Sequence, residues 1–402
     1  MMTGGFAMKC LARWDDLSRL LTHLKERGHA LHGPRLKDGA LVIDEIGSLD
    51  DLPAGWTDIQ EPGSYRLRRH PENLAFGWHP GAESWKGLLL PSQSIVWEAR
   101  RTTSGWEALP SRDDIPAIAF LGMRGCDVAG MLRLDRVFGL RGGPLNTAEL
   151  QPSVCVDPVY AARRERAFFV GIQCIEAGGN CFCSSVGPGP RIGAGCDLVL
   201  TELPGEGGSS FLMEALSRAG AEILDALALP GARERDIRRA VRLVDACASS
   251  MPRFLDTSGI RELLERQWEN RRWEETAGRC FTCGNCTMVC PTCFCSNILD
   301  ETDLEGLTAR RPRVWDSCFN LEFTYVHGGG NVRSSAKSRY RQWMAHKLAT
   351  WFDQFGEMGC VGCGRCITWC PAGIDITEEA AVIRRSDGAH APSAEEKCHV
   401  RP

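Results

Sequence analysis

Eight cysteines of this chain fall in two copies of one spacing. Cys280, Cys283, Cys286 and Cys290 precede Pro291, and Cys360, Cys363, Cys366 and Cys370 precede Pro371, so C-x2-C-x2-C-x3-C-P is written twice. Such a run supplies the thiolates of a cubane iron–sulfur cluster, and two copies imply two 4Fe-4S clusters. Three cysteines at intervals of three wrap one turn of chain around three corners of a cube. The fourth lies too far along to close the same cube and reaches its neighbour, while the proline keeps the next segment from continuing as helix. One cluster is therefore expected on Cys280, Cys283, Cys286 and Cys370, and the other on Cys360, Cys363, Cys366 and Cys290. Paired C-x2-C also binds zinc, but a third cysteine at the same interval, with C-P repeated in full, argues for iron and sulfide. Two clusters held close together move electrons.

The rest of the chain bounds where such a unit can sit. At 402 residues there is room for two domains, expected at 1–250 and 251–402. The net charge of −4 gives no basic excess for nucleic acid. The apolar runs at 115–121 and 167–172 are strand-sized, far too short for a bilayer span, and no signal-peptide pattern opens the chain. Twenty cysteines in a large, unexported chain point to metal sites in a reducing cytoplasm rather than to disulfides.

Periodicity supplies a coarse architecture. Leu17, Leu20, Leu21 and Leu24 share one face of a helix expected over 15–27, closed by Gly28. Residues 33–110 read as short strands and turns. Strands are expected at 117–122, 167–173 and 197–203, with helices after Asp127 and at 211–227 and 232–248. Strands separated by helices make the N-terminal domain α/β or α+β, with a partly parallel sheet. Beyond a boundary at 251–259 the chain reads as mainly α-helical, with helices at 261–275 and 334–355. Tyr340, Trp343, Met344, Leu348, Trp351, Phe352 and Phe355 form one apolar face of the latter, and Gly356 caps it. The long, largely helical insertion between the cysteine runs marks a helix-rich dicluster ferredoxin domain.

Further cysteines lie upstream. Cys126 and Cys174 follow predicted strand ends, where α/β sheets build their sites, and Cys181 and Cys183 lie in a glycine-rich loop. These four are candidates for a third iron–sulfur cluster, with Asp127 as a substitute oxygen ligand; the alternative is that they are small buried apolar groups. Cys293, Cys295 and Cys318 either contribute to an extra cluster or pack beside the pair, and packing is favoured. Cys10, Cys155, Cys196, Cys247 and Cys398 are isolated and receive no role.

No dinucleotide or phosphate-binding loop is present: the glycines at 187, 189, 193 and 195 give only a weak echo of one. Arg333, Lys337, Arg339, Arg341 and Lys347 read either as a solvated helix face or as cations offsetting negative clusters and docking an acidic partner. Trp343, Trp351 and Trp369 are expected to shield the clusters, because burial tunes their potential.

With these motifs in hand, the chain resembles the β subunit of cytoplasmic sulfhydrogenases, the NAD(P)-linked NiFe hydrogenases, and is similar to the related A-type electron-transfer subunit of anaerobic sulfite reductase. The resemblance rests on Arg124, Cys126-Asp127, Cys174, Asn180-Cys181-Phe182-Cys183 and the first cysteine run through Cys295. It continues through Trp315-Asp316-Ser317-Cys318, the Ser338–Trp343 stretch with His346-Lys347, the second run, and Gly373-Ile374-Asp375-Ile376. It spans roughly residues 115–380 and is weak over the N-terminal third. It implies a non-catalytic electron-transfer subunit of a heteromeric complex. There a flavin subunit exchanges electrons with NAD(P)H, and the β-type subunit relays them to the hydrogenase small and large subunits. The sulfite reductase likeness implies the same relay feeding a sirohaem-type partner.

Overall fold

The computed structural model describes residues 8–109, 115–140, 156–187 and 189–389; Cys155 and Cys398 lie outside them. Its centre is a seven-stranded sheet in the order Lys9–Ala12, Ser210–Ala215, Leu198–Leu203, Phe168–Ile172, Ile118–Met123, Ala30–Lys37, Ala40–Glu45. The four strands from Leu198–Leu203 to Ala30–Lys37 run parallel, and the flanking pairs are antiparallel. Ile118–Met123, Phe168–Ile172 and Leu198–Leu203 are buried along their whole length, as parallel strands covered on both faces must be. The expected partly parallel sheet is therefore present, and the fold is mixed α/β.

The leucine stripe of the first helix, Trp14–Glu26, packs Leu17, Leu20, Leu21 and Leu24 into the core on one face of this sheet. The segment expected as one helix over 211–227 divides. Ser210–Ala215 pairs antiparallel with Leu198–Leu203, and the helix begins only at Arg218, where the Ser217 hydroxyl accepts from the Gly220 N–H. Phe211, Leu212, Met213 and Ala215 are all buried, and an apolar run this short does not distinguish strand from helix by itself.

The insertion between the cysteine runs also departs from expectation. It opens with the strands Ser296–Ile298, Glu301–Thr302 and Thr308–Trp315, and Thr308–Trp315 pairs antiparallel with Gln93–Thr102 of the N-terminal half. Backbone hydrogen bonds thus cross the boundary expected at 251–259. The helix expected over 334–355 is likewise interrupted: Ala336–Ala345 and Trp351–Phe355 are α-helical, but His346–Thr350 between them forms a π-helical turn. Such turns are frequent at functional sites.

Candidate iron–sulfur centre

Both cysteine runs wrap in the same way. In the first, Thr282 (φ 51°) and Gly284 (φ 77°) take left-handed conformations between successive cysteines; in the second, Gly362 (φ 66°) and Gly364 (φ 76°) do so at the equivalent places. Each run then makes one short helical turn, Asn285–Met288 or Arg365–Thr368, before its C-P step. The repeated backbone turns each set of three thiols inward.

Cys280, Cys283, Cys286 and Cys370 line one cavity of about 430 Å³, together with Phe319, Tyr340 and Trp343. Cys290, Cys360, Cys363 and Cys366 line a second of about 360 Å³, with Phe182, Trp343, Lys347 and Ile376. The fourth cysteine of each run therefore lies with the first three of the other. Cys366 and Trp343 border both cavities, so the two share a wall. The first opens to solvent at Cys283 and at Phe281, which is 67 % exposed. The second is interior.

The chemistry of both linings fits a negatively charged, sulfur-ligated group. Burial, reinforced by neighbouring cysteines, holds the thiols of Cys286 and Cys366 well above the ordinary range, and pushes Cys360 up to about 12. Bare thiolates are disfavoured there, so cluster assembly must drive the deprotonation. The buried indole N–H of Trp343 finds no partner among the described residues, and the buried ammonium of Lys347 borders the second cavity. Both are donors of the kind that stabilise cluster sulfur. Among the described residues, no three His, Cys, Asp or Glu side chains converge closely enough for a single metal ion.

The upstream cysteines gather at the carboxyl ends of the parallel strands. Cys126 opens the helix Gly125–Val137 after Ile118–Met123, and Cys174 follows Phe168–Ile172. Cys126 packs against Val361 and Cys363 of the second run. Burial raises the thiol pKa of Cys126, Cys174, Cys181 and Cys183; for Cys183 the neighbouring Cys181, Cys174 and Cys247 add to it. Cys247, read as isolated, thus belongs to this neighbourhood, and its own thiol is pushed up to about 12 by burial and then by Cys174. Ala240, Val244 and Cys247 are buried on the helix Glu234–Ser249, a pattern that reads as core.

Asp127 does not serve as the oxygen substitute. Its Oδ1 accepts from Arg365 Nη2 at 2.6 Å and its Oδ2 accepts from the Arg124 N–H at 3.1 Å, so both oxygens are engaged. The basic segment is not a uniformly solvated face either. Arg339 and Lys347 are buried, while Lys337 and Arg341 pair with Glu269 at the surface. Cys318 and Cys295 share a sulfur hydrogen bond that, with Lys347 nearby, brings Cys295 down to about 7 despite its burial. Sequence reasoning missed Lys86 and Arg365. No local pattern marks either one, because their partners lie more than 200 positions away.

Fold and cysteine geometry together define an iron–sulfur protein, and the family model of the 4Fe-4S dicluster domain matches residues 279–374. The chain is 33% identical over 364 residues to sulfhydrogenase 2 subunit beta of Pyrococcus furiosus, covering 90% of this chain and 94% of that protein. It belongs to the sulfhydrogenase β-subunit family. No solved structure matches it.

Proposed function

We propose that this chain is the iron–sulfur electron-transfer subunit of a heteromeric cytoplasmic complex. It relays electrons between a flavin subunit that binds NAD(P)H and the small and large subunits of a NiFe hydrogenase. Cys280, Cys283, Cys286 and Cys370 hold one 4Fe-4S cluster, Cys360, Cys363, Cys366 and Cys290 the other, and Cys126, Cys174, Cys181 and Cys183 a third. The carrying observation is the shared wall: two four-thiol cavities meet at Cys366 and Trp343, and upstream Cys126 packs with Cys363 of the second. Clusters bound there would each take and give one electron. The protein's part is to hold them in order, exclude water around the inner one and set their potentials through charge and hydrogen bonds. Among the described residues no helix is long and apolar enough to cross a membrane.

The test is purification of the native complex with assay of Cys363→Ser. A NiFe large subunit and a flavoprotein should co-purify, and the variant should lose electron transfer between them. A sirohaem protein in their place would redirect the relay to sulfite reduction. Undiminished turnover of the variant would refute the ligand assignment.

A further inference from the structure

Two buried lysines, one from each half of the chain, flank the segment that carries Cys290, and Lys347 lines the second cavity. Lys347 projects from the π-helical turn His346–Thr350 and is 4% exposed. Its carbonyl accepts the N–H groups of Gly359 at 3.0 Å and Cys360 at 3.2 Å, so the residue is tied to the first ligand of the second run. Its Nζ donates to Thr292 Oγ1 at 2.7 Å and lies 4.7 Å from the centre of the Trp351 ring. Thr292 Oγ1 is 3.3 Å from Cys290 Sγ and donates to the Gly359 carbonyl at 2.7 Å.

Lys86 arrives from the helix Lys86–Leu89 and is 6% exposed. Its Nζ donates to the carbonyls of Cys293 at 3.0 Å and Thr287 at 3.3 Å, and lies 4.3 Å from the Trp315 ring centre. Carbonyls, a hydroxyl and aromatic faces satisfy the hydrogens of these groups without neutralising their charge. Neither lysine pairs with a carboxylate among the described residues. Arg272 and Arg279 near the first cavity, by contrast, both meet the buried Glu379. An uncompensated buried ammonium is costly, so two of them in this interior call for an anion nearby. A four-thiolate cubane is such an anion, and it gains a further negative charge on reduction. The low dielectric of the interior leaves that attraction largely unscreened.

We propose that Lys86 and Lys347 are the built-in counter-ions of the second cluster and raise its reduction potential through their charge. The inference rests on the reading that the two cysteine sets hold clusters. Both lysines are positioning residues, since neither replaces a thiolate ligand.

The experiment is an EPR-monitored redox titration of the native complex, with iron measured per chain, for the wild type, Lys347→Met, Lys86→Met and Lys347→Arg. The second cluster is identified as the signal that Cys363→Ser removes. Both methionine variants should keep their iron and shift that signal to more negative potential, by about tenfold in the reduced-to-oxidised ratio, or 59 mV for one electron. Lys347→Arg, which keeps the charge, should stay near the wild type. Unchanged midpoints at full iron content would overturn the proposal, as would loss of the second cluster from all three lysine variants, which would make the lysines merely structural. A wild-type complex without iron in this subunit would instead sink the cluster reading itself, a separable failure.

Discussion

Gly362 lies directly against the backbone of Cys183: a β-carbon at 362 would fall 2.6 Å from the Cys183 Cα. The Phe182 N–H donates to the Gly362 carbonyl at 2.9 Å, and Asn180 Nδ2 donates to Thr368 Oγ1 at 2.9 Å. The equivalent position of the first run is Thr282, which holds the same left-handed turn with a side chain. Positive φ therefore does not by itself demand glycine at 362. The demand comes from the upstream cysteine loop, which sits on the second run and not on the first. This contact seats the Phe182–Cys183 backbone on the second run, beside the inner cavity.

Gly362→Ala should accordingly cost more than its backbone conformation alone implies. Gly356 has a similar φ of 70°, but a β-carbon added there would meet nothing within 4 Å, so Gly356→Ala isolates the left-handed penalty, roughly 1–2 kcal/mol. Gly362→Ala adds a clash with main-chain atoms that cannot rotate away, for a total on the order of 3 kcal/mol or more. Urea unfolding of the holoprotein compares the two, and equal losses would show that the Cys183 contact is not tight.

Asp127→Asn should destabilise the protein by about 3–5 kcal/mol, because it strands the Arg365 charge in the interior. The pair is 2.6 Å apart with both side chains almost fully buried, and Asp127 helps keep the arginine pKa above its ordinary value. Asparagine can still accept from the Arg124 N–H, so the helix cap survives. Adding Arg365→Met to Asp127→Asn should recover much of the loss. Strictly additive effects in that double-mutant cycle would mean the two do not interact.

What the sequence revealed and what it hid divide by range. The cysteine runs were legible because each is written as one spacing within eleven residues, repeated in full. The parallel strands were legible as continuous apolar runs. Thr308–Trp315 was not, since Arg310, Arg311 and Arg313 with Pro312 look unlike a strand; the ladder tolerates the proline because its register shifts between Arg311 and Pro312. Lys86 and Arg365 were hidden for a different reason. Their roles depend on charges brought together only by the packing of the two halves, and no period in the sequence encodes that.

Acid should weaken the protein through His346. Burial first, and then the Lys347 charge, bring its pKa down to about 4, against roughly 6.5 in an unfolded chain. The unfolded state therefore binds the proton more readily. Stability from this site is complete above about pH 6.5 and falls as the pH drops towards 4, by up to about 3 kcal/mol. The His346 ring lies tilted against Trp351 with centres 5.0 Å apart, so His346→Phe keeps an aromatic ring and should flatten this part of the stability-versus-pH curve. An unchanged slope between pH 6.5 and 4 in that variant would assign the acid sensitivity elsewhere.

Iron stoichiometry decides whether the upstream thiols carry a third cluster, and the geometry says which variants to count. Two cubanes require about eight iron atoms per chain and three about twelve. Cys126 and Cys247 compete for the fourth position beside Cys174, Cys181 and Cys183. Cys126 packs on Cys363 at the start of a helix that follows a parallel strand, whereas Cys247 projects from the side of the helix Glu234–Ser249. With Cys126 as the ligand, Cys126→Ala should lower the count by about four while Cys247→Ala leaves it intact. The reverse pattern would move the ligand to Cys247. A wild-type count near eight, unchanged in both variants, would leave the upstream cysteines as a packed seam and end the path at the second cluster.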